Sequence, residues 1–164
     1  RKNLLMVIGY PADSDAVIDF MPVPEQGRVD NITLEVDKWR ALGNNYELRQ
    51  QRGGASGGTN KELHARQRAI NQGEENLYAQ IETLYQDALA SRTAWQGACT
   101  AQAAREAEWK AASHKMELGM LSRQEYMEAK AAYLDGAAAK AQADVNFQQA
   151  MDTYDWAVKG LTGI

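Results

Sequence analysis

Asp13, Asp15 and Asp19 stand at the first spacings of a calcium-binding loop, in which alternating oxygen ligands surround a hard cation. The loop is not completed. Ile18 occupies the place that needs glycine for the sharp turn, and Pro24 the place that needs a bidentate Glu, so a solvated turn is expected there. Gly53-Gly54-Ala55-Ser56-Gly57-Gly58 has the glycine content of a phosphate-binding loop, but no Lys-Ser or Lys-Thr follows at the required spacing. His64 and His114 lie far apart, with no Cys or His at metal spacing, and Cys99 is the only cysteine. An internal disulfide is therefore excluded, and Cys99 reads as a small helix-packing residue. With no nucleophile beside a base and no paired carboxylates, the chain is not expected to be an enzyme or to need a metal or cofactor.

The elements that would position any site are more informative. All three prolines, Pro11, Pro22 and Pro24, fall in the first 24 residues, so nothing later breaks a helix by losing its amide donor. Residues 1–33 read as the end of a preceding helix, stopped by Gly9, followed by an irregular segment in which Val29 to Thr33 is extended. Thr33 then caps one helix over 34–52. Residues 53–59 form a Gly-rich flexible connection, since four glycines within six residues keep no regular structure. From Asn60 to Leu118 the pattern is helical, with Gly73 a weak point.

The stretch Leu118-Gly119-Met120-Leu121-Ser122 stops that helix and starts another. Gly119 can adopt the left-handed conformation that closes a helix, and Ser122 with Glu125 forms a capping box for the next one. A tight connection forces its two helices to lie antiparallel as neighbours. The fold expected is all-α: a long antiparallel, coiled-coil-like helical hairpin over 60–164, turning at 118–122, with a short helix and an irregular N-terminal segment. At 1.5 Å per residue its arms would run about 90 Å and about 60 Å.

Ile81, Leu84, Ala88, Ser91, Trp95, Ala98, Gln102, Arg105, Trp109, Ala112 and Met116 recur at spacings of three and four, a seven-residue repeat with a polar middle. A second stripe, Ala129, Ala132, Gly136, Ala139, Ala143, Asn146, Ala150, Thr153 and Ala157, has the same period and small residues. Another face of that helix carries Phe147, Met151, Tyr154, Val158 and Leu161. One small and one bulky face suit a helix packed against two neighbours in a multi-helix wall. Gln102, Arg105 and Asn146 either face a wet lumen or set the register of a partner.

The net charge of −4 argues against a nucleic-acid binder, whose affinity depends on a basic stripe. The longest apolar run near the start, Leu4 to Ile8, is far shorter than the roughly 20 residues that span a bilayer.

The chain resembles the TolC-like outer membrane efflux protein family over most of its length. Asn3-Leu4-Leu5-Met6-Val7-Ile8-Gly9 is similar to the Asn-Leu-x-x-Leu-x-Gly that closes the first of the family's two repeats. Ala41-Leu42-Gly43-Asn44-Asn45-Tyr46-Glu47-Leu48-Arg49 is similar to the Ala-Leu-x-x-Asn-Pro-x-Leu-Arg that opens one. Gly119-Met120-Leu121-Ser122-Arg123, with Ala129 ten residues after the glycine, resembles the hairpin turn, and Gln149-Ala150 through Tyr154 and Gly160 loosely matches the closing helix. The chain departs from the family pattern at Tyr46, where Pro is frequent, and at Glu125, where Asp is. The glycine cluster also stands where the family inserts membrane strands.

The resemblance implies a trimeric or higher α-barrel in the periplasm, associated with the outer membrane in the full-length protein. Its hairpin turn would meet a periplasmic adaptor protein that couples it to an inner-membrane transporter. By position, Gly119, Met120, Leu121 and Ser122 become the partner-docking residues. Two functions remain open at this point: the helical duct of an efflux or secretion channel, and a structural coiled-coil module of the cell envelope that binds partners without conducting solutes.

Overall fold

The computed structural model describes residues 2–7, 9–11, 14–15, 23–54 and 57–161. Six helices follow one another: α1 (Lys2–Val7), α2 (Gly27–Asp30), α3 (Leu34–Asn44), α4 (Tyr46–Gly53), α5 (Asn60–Glu117) and α6 (Arg123–Val158), and no strand occurs among the described residues. The fold is an all-α helical hairpin of α5 and α6, with α3 and α4 packed on its open end.

Why the long helices begin and end where they do can be read from their caps. At the start of α5 the Thr59 hydroxyl accepts from the Glu62 amide, while the Glu62 carboxylate accepts from the Thr59 amide at 2.8 Å. α5 then continues unbroken for 58 residues. Gly73 does not interrupt it, contrary to its expected weakness, because Leu48 of α4 packs so closely there that a Cβ would come 2.7 Å from Leu48 Cδ2. The glycine serves close approach of two helices rather than a break.

Three further expectations are corrected. The single helix over 34–52 is two, because Asn45 is buried in an extended conformation and its side-chain oxygen accepts from the Leu48 amide at 3.0 Å. An Asn side chain competes in this way with the helical carbonyls for a backbone donor. Val29 to Thr33 is not extended: Val29 sits in the single turn of α2, buried beneath α5 and α6. Thr33 does begin α3, but through its carbonyl, which accepts from the Asp37 amide, while its hydroxyl makes no capping bond.

The core is concentrated where the short helices cross the hairpin. One cluster joins Ala41, Leu42 and Leu48 to Leu77, Ile81, Tyr154 and Ala157. A second joins Val29 to Ala88, Trp95, Phe147 and Met151, and Cys99 packs half-buried against it. Trp95 and Phe147 rings lie 5.7 Å apart, and the indole Nε1 donates to Asp144 Oδ1 at 2.6 Å, so the large ring is both packed and hydrogen-bonded. Beyond Cys99 the hairpin is two helices thick. Its seam there consists of Gln102 and Arg105 crossing Gly136, Trp109 stacked on Tyr133 at 4.7 Å, and buried Ala112.

On α5 the stripe expected from the sequence is the face that packs, from Ile81 through Ala88 and Trp95 to Ala112, whereas on α6 the buried face shifts toward the bulky positions. Ala139 and Asn146 of the small stripe are exposed, while the bulky positions Phe147, Met151 and Tyr154 of α6 take the core, and Met116 at the far end of α5 is exposed. Large apolar side chains gain most from burial, and α2 and α3 supply the surface that buries them. Leu161 lies past the end of α6 and is exposed.

Candidate functional site

The hairpin tip is built by backbone chemistry. The Met120 amide donates to the Lys115 carbonyl at 2.8 Å and the Gly119 amide to the Met116 carbonyl at 3.0 Å, with Gly119 at φ +70°. Those two bonds satisfy carbonyls that the end of α5 would otherwise leave unpaired. Three residues on, Ser122 opens α6. Its hydroxyl accepts from the Glu125 amide at 3.2 Å, and the Glu125 carboxylate accepts from the Ser122 hydroxyl at 2.7 Å and from its amide at 3.0 Å. The hydroxyl, then the amide, hold the Glu125 carboxyl below its ordinary range.

The four residues expected to dock a partner therefore divide. Gly119 and Ser122 form the turn itself, Leu121 is half-buried, and Met120 is 73% exposed, beside Leu118 at 61%. The apex thus presents apolar side chains on a turn held by two helix-closing backbone bonds and a capping box.

Of the polar residues expected to line a lumen or set register, Gln102 and Arg105 lie in the seam against Gly136, and Asn146 does not. Gln102 Oε1, Trp109 Nε1 and Ser113 Oγ are buried without a hydrogen-bond partner among the described residues. A Cβ on Gly136 would come 2.6 Å from Gln102 Oε1, so the small residue makes room for that amide. Asn146 instead lines an open groove of about 360 Å³ with Asp87, Ser91 and Thr153, and its Oδ1 accepts from Gln142 Nε2 at 2.9 Å.

A second polar centre, not visible in the sequence, joins the short helices to α6. Arg28 of α2 donates to both Asp152 and Asp155. Burial works against its charge, but the bonds to Asp155 and Asp152 outweigh it and raise its affinity for the proton. Tyr154 donates its hydroxyl to Asp37 Oδ2 at 3.1 Å, and Arg40 donates to the other oxygen at 3.1 Å. Arg28, Asp37, Arg40, Tyr154 and Asp155 surround a cleft of about 380 Å³ that Ile32, Met151 and Val158 also line. No periodicity signals the bonds from Arg28 to Asp152 or from Tyr154 to Asp37, because their members lie more than 110 residues apart.

Burial, then the charge of Asp37, push the Tyr154 phenol well above its ordinary value. The folded state therefore retains a proton that the unfolded chain releases near pH 10, so this contribution is complete below about pH 10 and is lost as pH rises beyond it. Urea unfolding between pH 8 and 11 should show stability falling on the alkaline side, and Tyr154→Phe should flatten that fall. Equal alkaline slopes in the two proteins would show that Tyr154 does not titrate with folding.

Asp13 and Asp19 lie outside the described residues; Asp15 is exposed. Among the described residues, no three His, Cys, Asp or Glu side chains are grouped to hold a metal, and His64 and His114 are exposed on α5. No described helix is long and apolar enough to cross a membrane.

The chain matches no known family model, curated protein or solved structure.

Proposed function

We propose that this chain is the periplasmic helical section of an efflux or secretion duct of the TolC-like kind. Copies stand side by side as a trimer or larger ring and conduct solutes passively, with energy supplied by an inner-membrane transporter through a periplasmic adaptor protein. The observation that carries this reading is the hairpin: arms of 58 and 36 residues joined by a tip that is closed internally and presents Met120 outward. Rods of this length make walls rather than catalytic clefts, and an exposed apolar apex on a stiff turn suits a partner's helical tip.

The segment that resembles the family's repeat opening supports the reading in detail. Asn45 caps α4, and Tyr46 is its first helical residue. That is the position where proline, frequent in the family, fits without loss of a hydrogen bond.

The test is retention of a lipophilic dye by cells that carry the gene for this protein. Disrupting the gene should raise dye accumulation, and Met120→Glu, at a site too exposed to affect folding, should reproduce the defect. Unchanged retention in the disrupted strain would overturn transport in favour of an envelope scaffold.

A further inference from the structure

The cleft beside the short helices is walled by three parts of the fold at once. α2 contributes Arg28, α3 contributes Arg40, and α6 and its cap contribute Val158 and Lys159. Its volume of about 380 Å³ lies at the lower end of the range of small-molecule sites.

The hydrogen-bonding groups of this cleft are unevenly satisfied. Asp37 receives Tyr154 on one oxygen and Arg40 on the other, and Asp155 receives Arg28, so the carboxylates are engaged by groups of the chain itself. The donors are not. Lys159 is exposed, and among the described residues its ammonium has no hydrogen-bond or ion-pair partner. Arg40 gives a single bond, through Nη1 to Asp37, and the rest of its guanidinium is unpaired among the described residues. The Asn31 side-chain amide, also lining the cleft, likewise has no partner there.

What the cleft offers a ligand is therefore a surplus of exposed N–H groups beside the apolar side chains of Ile32, Met151 and Val158. A cation would be repelled by Lys159, Arg40 and Arg28. An uncharged apolar molecule would gain nothing from the donors. A molecule with a negative head and a short apolar body uses both parts of the lining, because charge-assisted bonds hold the head while burial favours the body.

We propose that this cleft binds a small organic anion, a carboxylate on a short apolar chain, with its head held by Lys159 and Arg40 and its body against Ile32, Met151 and Val158. Such a ligand bridges α3 to the end of α6 and fastens the short helices to the hairpin. The site does not depend on the duct reading, and its failure would leave the dye measurement untouched.

Thermal melting of the full chain with hexanoate tests this, against sodium chloride at equal ionic strength and against hexanol and hexylammonium, which keep the chain and change the head. A ligand of this size should bind in about the millimolar range. Because it binds the folded state alone, hexanoate at about ten times its dissociation constant should raise the melting temperature by about 3–5 °C, and the other two compounds should not raise it. Calorimetric titration should then show Lys159→Ala and Arg40→Gln each weakening hexanoate a few-fold, and the two together about tenfold. The Lys159 side chain makes no bond within the described residues, so Lys159→Ala keeps the parent's melting temperature without ligand and reads the site alone. Equal shifts from hexanoate and either of the other compounds overturn the proposal. So does the absence of any shift, or an affinity for hexanoate that neither substitution changes.

Discussion

Phe147→Ala should cost about 3–5 kcal/mol, the usual result of emptying a fully buried aromatic site. Phe147 is completely buried at the one level where α2, α5 and α6 meet, against Val29, Ala88, Trp95 and Met151. The chain is rod-shaped and two helices thick beyond this point, so few other residues can share the loss. Domains of this size are stable by about 5–15 kcal/mol, which makes the change a large part of the total. A urea titration followed by tryptophan fluorescence should show the midpoint falling steeply. Trp95, 5.7 Å from the missing ring, should also become more exposed in the folded state. A midpoint within the error of the parent would mean that the short helices do not lock the hairpin through this cluster.

Gly160→Val should be nearly as severe, for two reasons that act together. Gly160 ends α6 at φ +74°, a conformation that costs an L-residue about 1–2 kcal/mol. Its Cβ would also stand 2.6 Å from the Asn44 carbonyl oxygen and 2.7 Å from the carbonyl carbon. Those atoms belong to the backbone at the end of α3, where the Asn44 side chain donates to the Val158 carbonyl at 2.9 Å, so neither side can yield without breaking that bond. Overpacking of this kind adds about 1–3 kcal/mol. Gly119→Val is the control, because Gly119 has nearly the same φ but nothing within 4 Å of its Cβ, and only the conformational cost applies. Thermal melting should rank the three proteins parent, Gly119→Val, Gly160→Val in falling stability. Equal losses in the two variants would show that the contact with Asn44 yields freely.

The hairpin was legible in the sequence because its signals are local. Gly119, Ser122 and Glu125 act on backbone groups within a few residues of themselves, and their hydrogen bonds form in any molecule where two helices meet there. The caps at Gly9 and Thr59 are of the same kind, and the second could have been found from Glu62 three residues after Thr59. Heptad spacing identified both arms, since periodicity is a property of one helix.

The inward face of α5 was likewise legible, and what only the tertiary structure decided is which face of α6 points inward, and where the short helices sit. Several faces of α6 repeat every seven residues, and the sequence does not rank them. α2 and α3 bring the surface that buries Phe147, Met151 and Tyr154, leaving Met127, Leu134 and Val145 outside. The break at Asn45, the continuity of α5 through Gly73, and the bonds from Arg28 to Asp152 and from Tyr154 to Asp37 share that dependence. Each needs a partner distant in the chain, or a choice between a local and a long-range hydrogen bond, and such choices are made by packing.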